Sequence, residues 1–375
     1  MGGGQDRPRH LPCSPLLQDS GLVTLLNDAD AALVLADAGF ADCFARIRGD
    51  LPAIQADRYV LVGGGERAGF RDYSAFIAPA PDTDPADAGL QDDDLYSIMY
   101  SSGTTGAPKG IMHTHFVRAM YCALFGAAWR MTPESVVLHA GSIVFNGAMV
   151  DLMPWMFYGG TYVLHPAFDA EAVIRDIERE KVTHIIMVPT QIVAVLNSPH
   201  FDPRAMESLE MVQNVGAPLH GEHKKRLNES LPGRFYELYS LTEGCGTVLD
   251  KHDALRKAGS VGAPLPFWEI RILDEQGRDC KPGEVGEICG RSPLMTPGYY
   301  KRPDLTAKAL VDGWMHTGDA GYLDAEGYLM EAFPRNVAGK VLKRVDSGFG
   351  RSAGQPNALR IGRLPGIREQ MRVRS

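Results

Sequence analysis

Hydroxyls, glycines and one lysine crowd into the run Tyr100-Ser101-Ser102-Gly103-Thr104-Thr105-Gly106-Ala107-Pro108-Lys109-Gly110. Gly103, Gly106 and Gly110 permit positive φ and let amide hydrogens approach an anion closely. Ser101, Ser102, Thr104 and Thr105 add hydroxyl donors, and Lys109 adds a mobile positive charge. Phosphate binding is the chemistry such a loop can do. It is not a Walker loop, which sets four residues between its first glycine and a Gly-Lys-Ser/Thr. Here Gly103 is followed by Gly106, and Lys109 by Gly110. Taken alone, the segment also fits a flexible surface turn between a strand and the helix-like run from Phe116 to Trp129.

Two more motifs follow in order, Tyr239-Ser240-Leu241-Thr242-Glu243 and Gly313-Trp314-Met315-His316-Thr317-Gly318-Asp319. With the Tyr100–Gly110 loop they resemble the signatures of the adenylate-forming enzymes: acyl-CoA synthetases, luciferases and peptide-synthetase adenylation domains. The chain is most similar to the acid–CoA ligases among them. The resemblance runs from about Leu22 to Leu329, with one further piece from Pro334 to Arg344. It implies an α/β fold, a large-domain core of mainly parallel sheets flanked by helices, plus a β-rich subdomain. It also implies ATP-dependent activation of a carboxylic acid to an acyl adenylate and then to a CoA thioester, with ATP, Mg²⁺ and CoA as cofactor and co-substrates. No carrier-domain serine motif follows, which disfavours peptide-synthetase adenylation; luciferase activity stays open.

Such a reaction drives a carboxylate against the α-phosphate, so the site must neutralise two anions and stabilise departing pyrophosphate. By the resemblance, Ser101, Ser102, Gly103, Thr104, Thr105, Gly106 and Lys109 hold the leaving phosphates. Thr242 then donates to the α-phosphate, and Glu243 helps bind Mg²⁺, a hard cation suited to a carboxylate and phosphate oxygens. Tyr239 offers a flat face to adenine, with Gly216-Ala217-Pro218 against the opposite face, and Asp319 accepts from both ribose hydroxyls. Lys340, in Pro334-Arg335-Asn336-Val337-Ala338-Gly339-Lys340, matches the lysine that relatives place over the α-phosphate during adenylation. Asn146 and Gly147, in the segment Ser142 to Ala148, fall at the wall of the acid pocket, with Val215, Leu241 and Gly244 lining the same cavity. Many relatives carry an aromatic residue or histidine where this chain has Asn146, so that a substrate hydrogen bond, a wider entry and neutral drift all stay open. Structural readings stand beside these: Thr242-Glu243 as a helix cap, and Asp319 as a turn aspartate before Gly321.

The elements that must position these groups are legible in part. Leu22, Leu25 and Leu26 are spaced for a helix that leads into the apolar run Ala32–Leu35, and Tyr59–Val62 reads as a strand. Residues 78 to 94, rich in Pro, Asp and Ala, read as a solvated linker. Strands at Val136–Leu138, Thr161–Leu164 and His184–Val188 alternate with helices, among them Ala170–Glu180, which predicts a largely parallel sheet with both faces covered. From Ala258 onward strands separated by turns (Glu269–Leu273, Gly286–Cys289) predict the β-rich subdomain. Met149, Met153, Met156 and Phe157 read as helix core. His113 and His115 alternate as on a strand's two faces and read as structural, not as metal ligands.

The chain has 375 residues, a formal net charge of -8 and 45% hydrophobic residues. Mild acidity disfavours a general nucleic-acid or anionic-membrane binder, which needs a basic footprint. The six cysteines show no CxxC pairing, so neither a zinc site nor a secreted disulfide framework is expected, and a cytoplasmic setting fits. No apolar run approaches the roughly 20 residues of a membrane span. The expected organisation is a non-matching lead-in at 1–21, a partial AMP-binding core at 22–257, the β-rich subdomain with the ribose motif at 258–329, a remnant of the lysine motif at 330–344, and a disordered basic tail at 345–375. Relatives continue past a segment like Gly321–Leu329 into a hinge and a small mobile domain. Here Leu329-Met330-Glu331-Ala332 runs directly into Phe333 and the lysine motif. The small C-terminal domain is therefore read as largely absent, and a catalytically deficient nucleotide-binding remnant is the alternative function. A frameshift or aberrant splice would yield the tail, and so would a genuine basic arm.

Overall fold

The computed structural model describes residues 9–83, 87–102 and 108–331. Gly103, Thr104, Thr105, Gly106 and Lys340 thus lie outside the described residues. So do residues 1–8 of the lead-in, the Pro334–Arg344 piece and the tail.

The chain opens with helix α1 (Asp19–Asp28) and strand β1 (Val34–Asp37), followed by α2 (Ala41–Ile47), β2 (Tyr59–Val62), the short β3 (Arg71–Asp72) and α3 (Tyr73–Ile77). Leu22, Leu25 and Leu26 are buried on α1 at the spacing that predicts a helix. The three strands form a parallel sheet in the order β1-β2-β3, with β1 an edge strand. One face packs on α1 and α2 through Leu26, Phe44, Ile47 and Tyr59. The other leaves Leu35 and Val62 exposed.

A hairpin comes next: β4 (Leu95–Ser102) pairs antiparallel with β5 (Pro108–Thr114). Helix α4 (His115–Trp129) starts at Thr114, whose Oγ1 accepts from Val117 N at 3.2 Å and caps an otherwise orphaned amide. Along α4, Val117, Tyr121, Phe125 and Trp129 recur every fourth residue and are all buried. The chain then runs through β6 (Val136–Ala140), α5 (Asn146–Tyr158), β7 (Thr161–His165), α6 (Ala170–Glu180), β8 (His184–Met187), α7 (Pro189–Asn197), β9 (Met211–Asn214), α8 (Gly221–Ser230), β10 (Phe235–Ser240) and β11 (Gly246–Leu249).

These strands make a six-stranded sheet in the order β11-β10-β9-β8-β6-β7, parallel except for the β10–β11 hairpin. Successive residues face opposite cores. Leu138, Ile185, Val212 and Phe235 join the cluster under α6, α7 and α8. Their neighbours Val137, Ile186, Met211 and Tyr236 join the cluster under α4 and α5. With both faces covered, the inner strands β6 and β8 are mostly apolar, which is why Val136–Leu138 and His184–Val188 read as hydrophobic runs.

Met149 and Met153 are core on α5, as the helical spacing predicts, but Met156 and Phe157 are 51% and 67% exposed. The helix has one apolar partner face, and these two residues lie off it. The expectation of core for Met156 and Phe157 is therefore corrected.

The last unit comprises β12 (Glu269–Leu273), β13 (Gly286–Arg291), α9 (Pro303–Ala309), β14 (Leu310–Val311), β15 (Trp314–Leu323) and β16 (Leu329–Glu331). Its sheet is antiparallel, ordered β12-β13-β15-β14 with β16 on β15. No described helix is long and apolar enough to cross a membrane. Among the described residues all six cysteines are unpaired.

Candidate active site

Ser101, near the end of β4, stands opposite Lys109 of β5, and Ser102 stands opposite Pro108. The Lys109 ammonium lies 5.3 Å from the centroid of the Tyr299 ring. Backbone bonds from Met112 N to Gly298 O (3.1 Å) and from Tyr300 N to Gly110 O (2.7 Å) tie this hairpin to the segment between β13 and α9.

Thr242 and Glu243 occupy the turn between β10 and β11, closed by Gly244 N to Leu241 O (3.0 Å) and Leu241 N to Cys245 O (2.9 Å). No helix starts there, so the helix-cap reading of Thr242-Glu243 is corrected. Tyr299 OH donates to Glu243 Oε1 at 2.8 Å and fixes the carboxylate's orientation. Thr296 N donates to Glu243 O at 2.8 Å. A carboxylate so oriented is the hard oxygen donor that a small divalent cation requires.

His113, on β5, is fully buried beneath the same turn, with Nε2 donating to Thr242 O at 2.9 Å. Burial, reinforced by the nearby Arg118 charge, pushes its pKa down to about 3. The folded ring is therefore neutral, whereas the unfolded imidazole titrates near 6.5. Between those values only the unfolded chain takes up the proton. The contribution to stability is full above pH 6.5 and is lost as pH falls, by about 1.4 kcal/mol per unit. Urea unfolding at pH 7 and at pH 5 should thus show a loss of about 2 kcal/mol in the natural chain that His113→Gln lacks. An identical pH dependence in both proteins would exclude this role.

Tyr239, at the end of β10, donates its OH to Asp319 Oδ2 at 3.1 Å. Burial, then the Asp319 charge, raises its phenol well above the ordinary value, so it stays a donor. Asp319 is buried within β15, which corrects its reading as a turn aspartate. The residues before it are pinned to β13: Thr317 Oγ1 donates to Ile288 O at 2.7 Å, Gly318 N to Glu287 Oε1 at 3.0 Å, and Asp319 N to Thr317 Oγ1 at 3.0 Å. Glu287 Oε2 and His316 Nδ1 are 3.0 Å apart, and Cys289 Sγ lies 3.5 Å from the same ring nitrogen. This trio has donor atoms close enough to hold a metal ion. The sequence conceals it because the donors come from two strands.

Gly216, Ala217 and Pro218 follow β9. Gly216 has φ +85°, a conformation that favours glycine, and an added Cβ would meet only Val188 at 3.6 Å. Asn214 Nδ2 donates to Ala217 O (2.8 Å) and to Glu237 Oε1 (2.9 Å), while Leu219 N donates to the same carboxylate oxygen at 3.1 Å. Glu237 is buried and pairs with Lys224, so an ion pair in the core sets this segment's path.

An added Cβ at Gly147 would lie 3.7 Å from Val215, which places α5's first turn beside the residue after β9. Asn146 is the first residue of α5. Its Oδ1 accepts from Arg118 Nη1 at 3.0 Å and its Nδ2 donates to Tyr121 OH at 2.9 Å. Both ends of the amide are engaged by the protein. Leu241 and Gly244 lie in the β10–β11 turn beside Thr242. Contacts through Tyr299, His113 and Asp319 thus link Lys109, Thr242, Glu243 and Tyr239 across β5, the β10–β11 turn and β15. Sequence reasoning missed Tyr299, Glu287, Arg118 and the bond from His113, because each acts through a partner remote in the chain.

The AMP-binding enzyme family matches residues 9–300. The chain belongs to that family. It is 35% identical over 281 residues to a feruloyl-CoA synthase of an Amycolatopsis species, covering 74% of this chain and 54% of that protein. It is 30% identical over 326 residues to a medium/long-chain-fatty-acid–CoA ligase of Mycobacterium tuberculosis, covering 84% of this chain and 54% of that one. The chain therefore spans about half the length of these curated relatives. The solved O-succinylbenzoate coenzyme A synthetase of Bacillus subtilis, in complex with ATP and magnesium ion, is similar with a TM-score of 0.73 and 26% identity. That match covers 86% of this chain and 63% of that structure's chain. The mixed α/β fold with its antiparallel subdomain is that of the adenylate-forming enzymes.

Proposed function

We propose that the chain is the nucleotide-binding core of an AMP-forming acid–CoA ligase, which activates a carboxylic acid with ATP and passes the acyl group to CoA. The observation that carries this reading is the Tyr239–Asp319 hydrogen bond, which sets a flat aromatic ring beside a buried carboxylate. Adenosine needs that pairing, a face for the base and an acceptor for two ribose hydroxyls. Ser101, Lys109 and Thr242 are the donors this reading assigns to the nucleotide's phosphates, and Glu243 is the carboxylate it assigns to Mg²⁺. Both named relatives are CoA ligases or synthases of carboxylic acids, and the B. subtilis structure holds ATP and magnesium.

Exchange of labelled pyrophosphate into ATP, run across short, long and aromatic acids, tests the first half-reaction; chromatography for acyl-CoA tests both. Exchange that requires a particular acid is the expected result. A folded chain that binds AMP but shows no exchange with any acid would favour a nucleotide-binding protein without activation chemistry.

A further inference from the structure

Arg118 lies on α4 with only 2% of its surface exposed. Its Nη1 donates to Asn146 Oδ1 at 3.0 Å and its Nη2 to Ser97 Oγ at 3.1 Å. The guanidinium carbon sits 4.8 Å from the centroid of the Tyr121 ring, and Nε is buried with no partner. Among the described residues every one of these partners is neutral, and Arg118 forms no ion pair. Burying an ion is costly unless an opposite charge accompanies it. A lysine in this setting would shed its proton, but a guanidinium stays charged even where burial presses on it, as here. The interior behind the acid pocket therefore carries an uncompensated positive charge.

That charge is expressed toward Asn146. Asn146 is partly exposed at the start of α5, next to Gly147 and its neighbour Val215. Its Oδ1 accepts from Arg118 and its Nδ2 donates to Tyr121, so the amide is held in one orientation. It thus serves as the link that carries the guanidinium's field to the pocket wall. A low-dielectric surrounding makes such a field reach several ångströms with little screening. A monocarboxylic acid brings one negative charge, and activation commits that charge to the α-phosphate. Compensation of Arg118 then falls to a second anionic group on the substrate.

We propose that Arg118, acting through Asn146, selects carboxylic acids that bear a second anionic group, a carboxylate or a sulfonate. The inference rests on the acid-activating reading and narrows its substrate class.

Calorimetric titration of succinate and of its neutral isostere succinamate into the AMP-saturated chain tests it. Succinate is expected to bind at least ten-fold more tightly than succinamate. In Arg118→Met, with folding checked by circular dichroism, the ratio should fall to about one. A ratio near one in the natural chain, or binding by neither acid, overturns the proposal, as does a ratio that survives in Arg118→Met. If Arg118→Met does not fold, the pair of acids on the natural chain decides alone. A folded natural chain that fails to bind AMP overturns the nucleotide reading beneath, whereas AMP binding with a ratio of one overturns the charge selection only.

Discussion

Gly244→Ala is expected to destabilise the chain by about 3–6 kcal/mol, enough to leave little folded protein at 37 °C. Gly244 has φ +106°, a backbone region that side-chain-bearing residues rarely adopt. An added Cβ would lie 2.0 Å from Leu294 O, 2.4 Å from Leu294 C and 2.8 Å from Met295 Cα. All three are backbone atoms, so no rotamer change relieves the clash. Relief requires the β10–β11 turn to part from the 292–296 segment, which breaks the bonds from Ser292 to Gly244 and from Thr296 N to Glu243 O. Gly277→Ala is the control: φ is +74° there and nothing lies within 4 Å of an added Cβ, so only the backbone cost applies, about 1–2 kcal/mol. Urea unfolding of the two variants measures the difference, and equal midpoints would show that the turn is not clamped as described.

Asp319→Ala is expected to weaken AMP binding by about 100-fold or more. Hydrogen bonds to a charged acceptor contribute about 1.5–3 kcal/mol each, and two ribose hydroxyls would lose theirs together. The same change strips Tyr239 OH of its acceptor, which loosens the ring expected to face adenine. Asp319→Asn retains one acceptor oxygen without the charge and should fall between. Calorimetric affinities within three-fold of one another for the natural chain and Asp319→Ala would rule out the ribose role.

Much of this fold is legible in the sequence because its strands and helices carry their period openly. Tyr59–Val62 and Ala170–Glu180 have the bounds that pattern predicts, and the burial of β8 on both faces explains its apolar run. Strand β5 is hidden because it begins Pro-Lys-Gly, a turn signature, and becomes a strand only by pairing with β4. Met156 and Phe157 mislead because helical spacing says that a face exists but not how wide its partner is. Among site residues, the ordered motifs locate Tyr239, Thr242, Glu243 and Asp319. They do not reveal Tyr299 holding Glu243 across 56 positions, or His113 beneath Thr242 across 129. Asn146 is informative only with Arg118, 28 residues earlier on another helix. Local sequence carries no signal for bonds of that range.

Titration of AMP into the folded natural chain and into Asp319→Ala, side by side in a calorimeter at pH 7, asks most directly whether this core holds an adenine nucleotide through Tyr239 and Asp319. One saturable site per natural chain, displaced by ATP and lost or greatly weakened in the variant, is the predicted result. Absence of heat from a natural chain with an intact circular dichroism spectrum, or undiminished binding in Asp319→Ala, would contradict it.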